Sequence, residues 1–329
     1  MPTDHEAEAL ALADDALLAP GIRHVVATLR VGMREGPDIT TMPLGEARAR
    51  YAAQQQLWRP SVPPEVTIRR FFIATGAGPL PAVAVRAQGG HLPAARVLYL
   101  HGGGWVLGSV DTHLAAMSRL ALGSGTEVIG IDYRLAPEAP FPAALHDCLS
   151  AWHWLEVDST GRPLFIAGDS AGANLALAAM LEFRGQHATM PSAALLFYGV
   201  FGPDCRGESN DRFGSGDYGL STARMAWFRS NYLQAAGEAR TTDARISPLL
   251  ADLSGLPPML IMAAQCDPLA DDSRALARRA RAAGLVVTEA EQPGLVHGFL
   301  QMAAVVPEAA TALDDAARYL SARCSAPLG

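Results

Sequence analysis

The sequence predicts an α/β fold built on a mostly parallel central sheet with helices on both faces. Three observations predict it. From residue 96 onward, short apolar runs alternate with longer segments of helical period, the rhythm of βαβ units. Several of these runs are continuously apolar, as strands buried on both faces require. With 329 residues, half of them hydrophobic, the chain can bury the core that such a sheet needs.

The elements follow in order. Residues 1–57 are rich in Ala and Leu with few turn signals and read as helical. The proline clusters of "RPSVPPEV" (59–66) mark a boundary. "VTIRRFFI" (66–73) and "LPAVAVRA" (80–87) alternate like an antiparallel pair. "RVLYL" (96–100), "TEVIGID" (126–132), "LFIAG" (164–168), "AALLFY" (193–198), "MLIMAA" (259–264) and "LVVTEA" (285–290) read as strands. Between them, 112–122 suits a helix with Leu114, Met117 and Leu120 or Ala121 on one face, and 142–156 a helix with Pro142 at its start. Residues 171–185 form another. Helix 273–283 turns Leu276, Ala280 and Ala283 inward and Arg278, Arg279 and Arg281 outward. A last helix, 308–322, aligns Ala309, Leu313, Ala316 and Leu320.

Residues 200–245 break this rhythm. They are rich in Gly, Asp, Arg and Ser, with one helix-like stretch, "STARMAWFRSNYL". Insertions between sheet strands often cover the site at the strands' C-terminal ends. The expected organisation is therefore a cap from 1–57 and 200–245 over a core formed by 58–199 and 246–329.

Bulk properties exclude several classes. The net charge of −7 and the lack of basic runs argue against nucleic acid as a partner. The N-terminal stretch lacks a positive n-region, and Asp14 and Asp15 interrupt its apolar residues, so no secretory signal is expected. No run of 18 apolar residues exists, so no membrane span is expected. Cys148, Cys205, Cys266 and Cys324 are far apart, which fits reduced thiols in a cytoplasmic protein and no metal site.

"GDSAG" (168–172) fits G-x-S-x-G between a strand and a helix. A tight strand-to-helix turn needs glycines two residues to either side, where side chains would meet backbone. It leaves Ser170 exposed at a helix N-terminus, where backbone N–H groups stabilise developing negative charge. The competing reading is an ordinary glycine-rich turn with a helix-capping serine.

A serine nucleophile needs a base. His5 and His24 lie in the N-terminal segment, and His91 in a Gly-Pro loop. His113, His146, His153 and His187 fall on or beside helices, at the surface or core edge. His297 lies in "QPGLVHGFL", a loop after the last strand, where an α/β-hydrolase carries its base. Between Ser170 and His297, the acid candidates include Asp204, Asp211, Asp217, Asp243, Asp252, Asp267, Asp271 and Asp272. Only Asp267 directly follows a buried-looking strand, whereas Asp271 and Asp272 start a helix and would cap it. "HGGGW" (101–105) places three glycines at a strand's end. Bare backbone there offers N–H donors, and Gly103, Gly104 and Ala171 are the expected oxyanion hole. His101 reads as a structural hydrogen-bonding residue, and so does Asp169.

"HGGGW", "DYRLAPEAPFPAALHD" (132–147), "GDSAG", "DPLADD" and "HGF" (297–299) together resemble the hormone-sensitive-lipase-like α/β-hydrolases. The resemblance runs from about residue 66 to the C-terminus. It implies an α/β-hydrolase fold with a helical cap, and a carboxylesterase that needs no cofactor. It places the triad on Ser170, Asp267 and His297. Where many members carry Tyr-Pro after the fifth parallel strand, this chain has "FYGVFGPDC" with Gly199. That segment and "DPLADDSR" look more like the bacterial acetyl esterase branch, which points to small acyl groups. Trp105 and Val106 are candidates to border the acyl group. Met225, Trp227 and Phe228 either face the leaving group or form the core of the cap. Hydrolysis of an amide such as an N-acetyl group, or acyl transfer to another alcohol, would use the same triad. A non-catalytic small-molecule-binding relative would have lost the histidine that this chain keeps. The resemblance also allows homodimers.

Overall fold

The computed structural model describes residues 12–34, 36–58, 62–89, 93–159, 161–234 and 241–324. His5 and His91 lie outside them, as do residues 59–61 of the expected boundary.

Eight strands form one sheet: β1 (Val66–Thr75), β2 (Gly78–Ala87), β3 (Arg96–Leu100), β4 (Glu127–Ile131), β5 (Leu164–Asp169), β6 (Ala193–Phe197), β7 (Met259–Cys266) and β8 (Val287–Val296). Their order is β1-β2-β4-β3-β5-β6-β7-β8. β1 and β2 pair antiparallel, as does β2 with β4, and the remaining pairs are parallel.

The strands' two-residue period divides the core. On one face, Val97, Tyr99, Val128, Phe165 and Leu195 meet α3 (Val110–Ser124) and α9 (Pro307–Cys324) through Leu114, Met117, Leu313 and Leu320. On the other, Leu98, Leu100, Ile129, Ile166 and Leu196 meet α4 (Ala143–Asp158), α5 (Ala171–Gly185) and α8 (Ala270–Ala282) through Trp152, Met180, Phe183 and Leu276. Continuous apolar strands are thus explained, because each neighbouring residue faces its own layer of helices.

The segments expected to be helical before residue 58 form α1 (Arg23–Arg34) and α2 (Leu44–Trp58), with short 3₁₀ turns around them. The 200–245 segment holds two helices rather than one, α6 (Glu208–Phe213) and α7 (Thr222–Leu233). Arginines join these two parts of the chain. Arg30 binds Asp15 through two hydrogen bonds of 2.7 and 2.6 Å and donates from Nε to the Asp217 carbonyl at 3.0 Å. Arg224 reaches Asp38 at 2.9 Å, and Arg212 reaches Asp14 at 2.9 Å.

Several strand ends shift by one or two residues from expectation, and two of the differences bear on the site. Tyr198 leaves β6 with φ of +37° instead of continuing it. β8 runs on to Val296, so "QPGLV" is strand, not loop. Pro293 is tolerated because β8 is an edge strand with one partner, and a register shift on β7 between Ala264 and Cys266 absorbs the irregularity. Among the described residues, no helix is long and apolar enough to cross a membrane.

Candidate active site

Ser170 sits between β5 and α5 with φ of +53°, a conformation held by its N–H donating to the Phe197 carbonyl at 2.9 Å. The flanking glycines are required by close approach. A Cβ at Gly172 would lie 1.9 Å from the Leu100 carbonyl oxygen, and one at Gly168 2.4 Å from the Gly172 oxygen. No side chain fits at either place.

Three distant segments converge here. His297 Nε2 lies 2.9 Å from Ser170 Oγ, and His297 Nδ1 lies 2.8 Å from Asp267 Oδ2. Asp267 is fully buried, and its other oxygen accepts from the Leu269 N–H at 2.8 Å. The carboxylate therefore fixes the ring so that Nδ1 carries the proton and Nε2 faces the serine. His297 directly follows β8, which sets its position along the sheet.

Asp271 and Asp272 do not cap α8. Asp272 turns away to accept from the N–H groups of Phe201 and Gly202 at 2.6 and 2.8 Å. Burial pushes its carboxyl up to about 6 despite these two bonds. Asp271 accepts from the Ser209 N–H at 2.9 Å and pairs with Arg274. Both thus hold the loop before and around α6, and Asp271 also pairs along its own helix with Arg274.

Gly103, Gly104 and Trp105 follow β3 with φ of +122°, +62° and +61°. Gly103 and Gly104 line the same cavity as Ser170. Among the described residues, no group accepts from the N–H of Gly103, Gly104 or Ala171. This leaves three N–H groups without a protein acceptor, and the two on Gly103 and Gly104 belong to the cavity wall. His101 is buried and neutral: burial, with His113 nearby, drives its pKa down to about 3, and Nδ1 donates to the Gly102 carbonyl at 2.8 Å.

The cavity has a volume of about 430 Å³. Its floor holds Ser170, His297 and the glycine loop, and its walls come from α1, α2 and α7. Trp105 lines it and stacks on Tyr232 with ring centroids 4.5 Å apart. Met225 and Phe228 line it and are also core members. Phe228 lies directly over Gly104, where a Cβ would approach its ring to 2.2 Å. Two expectations need correction. Val106 is wholly buried beneath the loop, with its carbonyl bound to Arg48 Nε at 2.9 Å, and does not line the cavity. Trp227 packs on Phe228 from outside, 5.3 Å between centroids, and does not line it either.

Sequence reasoning missed Leu29, Met33, Tyr51 and Trp58 as cavity walls, and Tyr198 and Gln301 beside the histidine. Tyr198 was within reach of it, because a residue at the end of a parallel strand next to β5 must lie near Ser170. It also placed His113 at a surface or core edge. His113 is instead fully buried, because its partner is the buried Asp169 carboxylate, 3.3 Å away.

Comparison with known proteins identifies the family and the fold. Residues 97–301 match the family model described as alpha/beta hydrolase fold. The chain is 39% identical to an ethyl acetate hydrolase of Pseudomonas putida over 225 residues, 66% of this chain and 70% of that one. It is 34% identical to an acetyl esterase of Salmonella typhi over 292 residues, 85% of this chain and 87% of the other. Among solved structures, an ester hydrolase from the metagenome of Lake Arreo matches with a TM-score of 0.87 at 33% identity, covering 94% of this chain and 100% of that one. A thermostable esterase from Pseudomonas putida matches with a TM-score of 0.88 at 26% identity, covering 94% and 98%. The chain belongs to the α/β-hydrolase family, in the hormone-sensitive-lipase-like group that includes the bacterial acetyl esterases.

Proposed function

We propose that the protein is a carboxylesterase that hydrolyses short-chain esters, acetyl to butyryl in size, through an acyl-enzyme on Ser170. The observation that carries this reading is the hydrogen-bonded line from Ser170 Oγ to His297 Nε2 at 2.9 Å and from His297 Nδ1 to Asp267 at 2.8 Å. The relatives named as acetyl esterase and ethyl acetate hydrolase support the substrate size.

The geometry supports the following course of reaction. Ser170 Oγ attacks the ester carbonyl carbon as its proton passes to His297 Nε2. The carbonyl oxygen becomes an oxyanion held by the N–H groups of Gly103, Gly104 and Ala171. Asp267 stabilises the imidazolium. The tetrahedral intermediate collapses, the carbon–alkoxy bond breaks, and His297 gives its proton to the departing alcohol. A water molecule then loses a proton to His297 and attacks the acyl carbon. The carboxylic acid leaves, and Ser170 regains its proton.

Residues 1–57 and 200–245 act as the cap over this centre, joined by the arginine pairs between them. The four unpaired cysteines support a cytoplasmic location.

A p-nitrophenyl acyl series tests the size argument. Acetate and butyrate are expected to give kcat/KM at least about tenfold above laurate, the scale of discrimination that a bounded apolar pocket provides. Preference for laurate would contradict a capped site for small acyl groups. Running p-nitroacetanilide alongside reads out amide cleavage, expected to be slower than the acetate ester.

A further inference from the structure

Beneath the nucleophile lies a buried carboxylate that the hydrolytic steps above do not use. Asp169 is 2% exposed and precedes Ser170. Its Oδ1 accepts from the Tyr99 hydroxyl at 2.8 Å and from the Gly102 N–H at 3.0 Å. Its Oδ2 accepts from Gln301 Nε2 at 3.2 Å and lies 3.3 Å from His113 Nε2 and 3.4 Å from the Tyr198 hydroxyl. The Tyr198 hydroxyl is also 3.2 Å from Gln301 Oε1.

These partners belong to separate parts of the site. Gly102 opens the glycine loop, one residue before Gly103. Gln301 lies on the 3₁₀ turn Phe299–Met302 that follows His297. The Tyr198 ring meets the His297 ring edge-on, with centroids 4.9 Å apart. Asp169 thus bonds both to the glycine loop and to the segment that follows His297, while being covalently next to Ser170.

The charge on this carboxylate is maintained. Burial favours the neutral acid, but attraction and hydrogen bonding from His113, with the Tyr99 and Gln301 donors, outweigh it and hold Asp169 well below the usual carboxylate range. His113 in turn is raised by Asp169 against the effect of its own burial, and its Nδ1 donates to the Ser109 carbonyl at 3.1 Å. A charged acceptor binds neutral donors about twice as strongly as a neutral one does, which suits a group that must hold several loops at once.

We propose that Asp169 is a positioning residue that sets the oxyanion loop, through Gly102, and the His297 segment, through Gln301 and Tyr198, against Ser170. This rests on the reading of Ser170 and His297 given above. Such a role differs from simple core satisfaction. A structural carboxylate would need donors only from its surroundings, whereas two of these donors belong to parts that must meet a reacting ester within fractions of an ångström. A misplacement of about 1 Å in such parts costs on the order of 10²-fold in rate.

The test measures kcat, KM and melting temperature for Asp169→Ala, Asp169→Asn and Gln301→Ala with p-nitrophenyl acetate, using Ser170→Ala as the blank. Asp169→Ala is expected to lose about 10²-fold in kcat per folded molecule, with KM within about threefold. Asp169→Asn keeps an acceptor oxygen and the side-chain shape, and is expected to recover to within about tenfold of the parent. Gln301→Ala removes only the tether on the histidine side and leaves the buried pair intact. It is expected to lower kcat about five- to tenfold without a comparable change in KM. Because Gln301 sits at the cavity edge, this variant stays informative if Asp169→Ala does not fold. Parental kcat in Gln301→Ala would overturn the proposal. So would an Asp169→Ala enzyme that melts earlier yet turns over at the parental rate while folded. Activity in the Ser170→Ala blank would instead overturn the underlying reading of the nucleophile.

Discussion

Replacing Ser170 by alanine is expected to lower kcat by roughly 10⁶-fold and to leave the fold unchanged, since nucleophile and base act as a unit. The structure gives both halves of this expectation. Among the described residues the Oγ bonds only to His297 Nε2, so its loss strands no other described partner. The backbone at 170, with φ of +53°, is held by the bond from its N–H to Phe197, which alanine keeps. Alanine and serine also meet the same Cβ crowding in this conformation. The check is kcat against p-nitrophenyl acetate together with the thermal midpoint. An inactive variant with a parental midpoint supports the assignment, and parental turnover removes it.

The second large effect is expected at Asp267. Asp267→Asn should lower kcat by roughly 10⁴-fold, the cost of presenting the wrong tautomer of the base. Here the cause can be followed atom by atom. One side-chain oxygen must go on accepting from the Leu269 N–H at 2.8 Å. An asparagine that satisfies this bond points its NH₂ at His297 Nδ1. The ring must then accept there and carry its proton on Nε2, where it cannot take a proton from Ser170. Asp271→Asn is the matched control. Asp271 is about a third exposed and is engaged with Ser209 and Arg274 rather than with His297, so a change within about twofold in kcat is expected. A larger loss in Asp271→Asn than in Asp267→Asn would contradict the choice of carboxylate.

Much of this was legible in the sequence, for identifiable reasons. The central strands are buried on both faces, so composition alone marks them. The elbow was legible because its glycines answer to local backbone contacts. Asp267 and His297 were legible because each directly follows a strand, and strand ends define one edge of the sheet. What was not legible depends on contacts between distant segments. The cavity walls at Leu29, Met33, Tyr51 and Trp58 come from helices whose placement no local pattern specifies. His113 carries the same helical context as exposed histidines such as His146 and His153, and only the burial of Asp169 separates them. The extension of β8 was hidden by Pro293 and Gly294, which signal a loop in any strand except one at an edge. Val106 and Trp227 each stand next in sequence to a residue of the cavity wall. Their neighbours Trp105 and Phe228 occupy the wall, and the turn of loop or helix carries them behind it.

The central claim is that Ser170 forms a covalent acyl-enzyme with His297 as its base. The most direct measurement is stoichiometric reaction with a p-nitrophenyl alkylphosphonate, followed by intact mass and peptide mapping. The account predicts one adduct per chain, located on Ser170, with release of one p-nitrophenol and loss of all esterase activity. It further predicts that this labelling is abolished in Ser170→Ala and slowed by orders of magnitude in His297→Ala. Full inactivation with the adduct on another residue, or turnover of acetate esters by fully labelled enzyme, would contradict it.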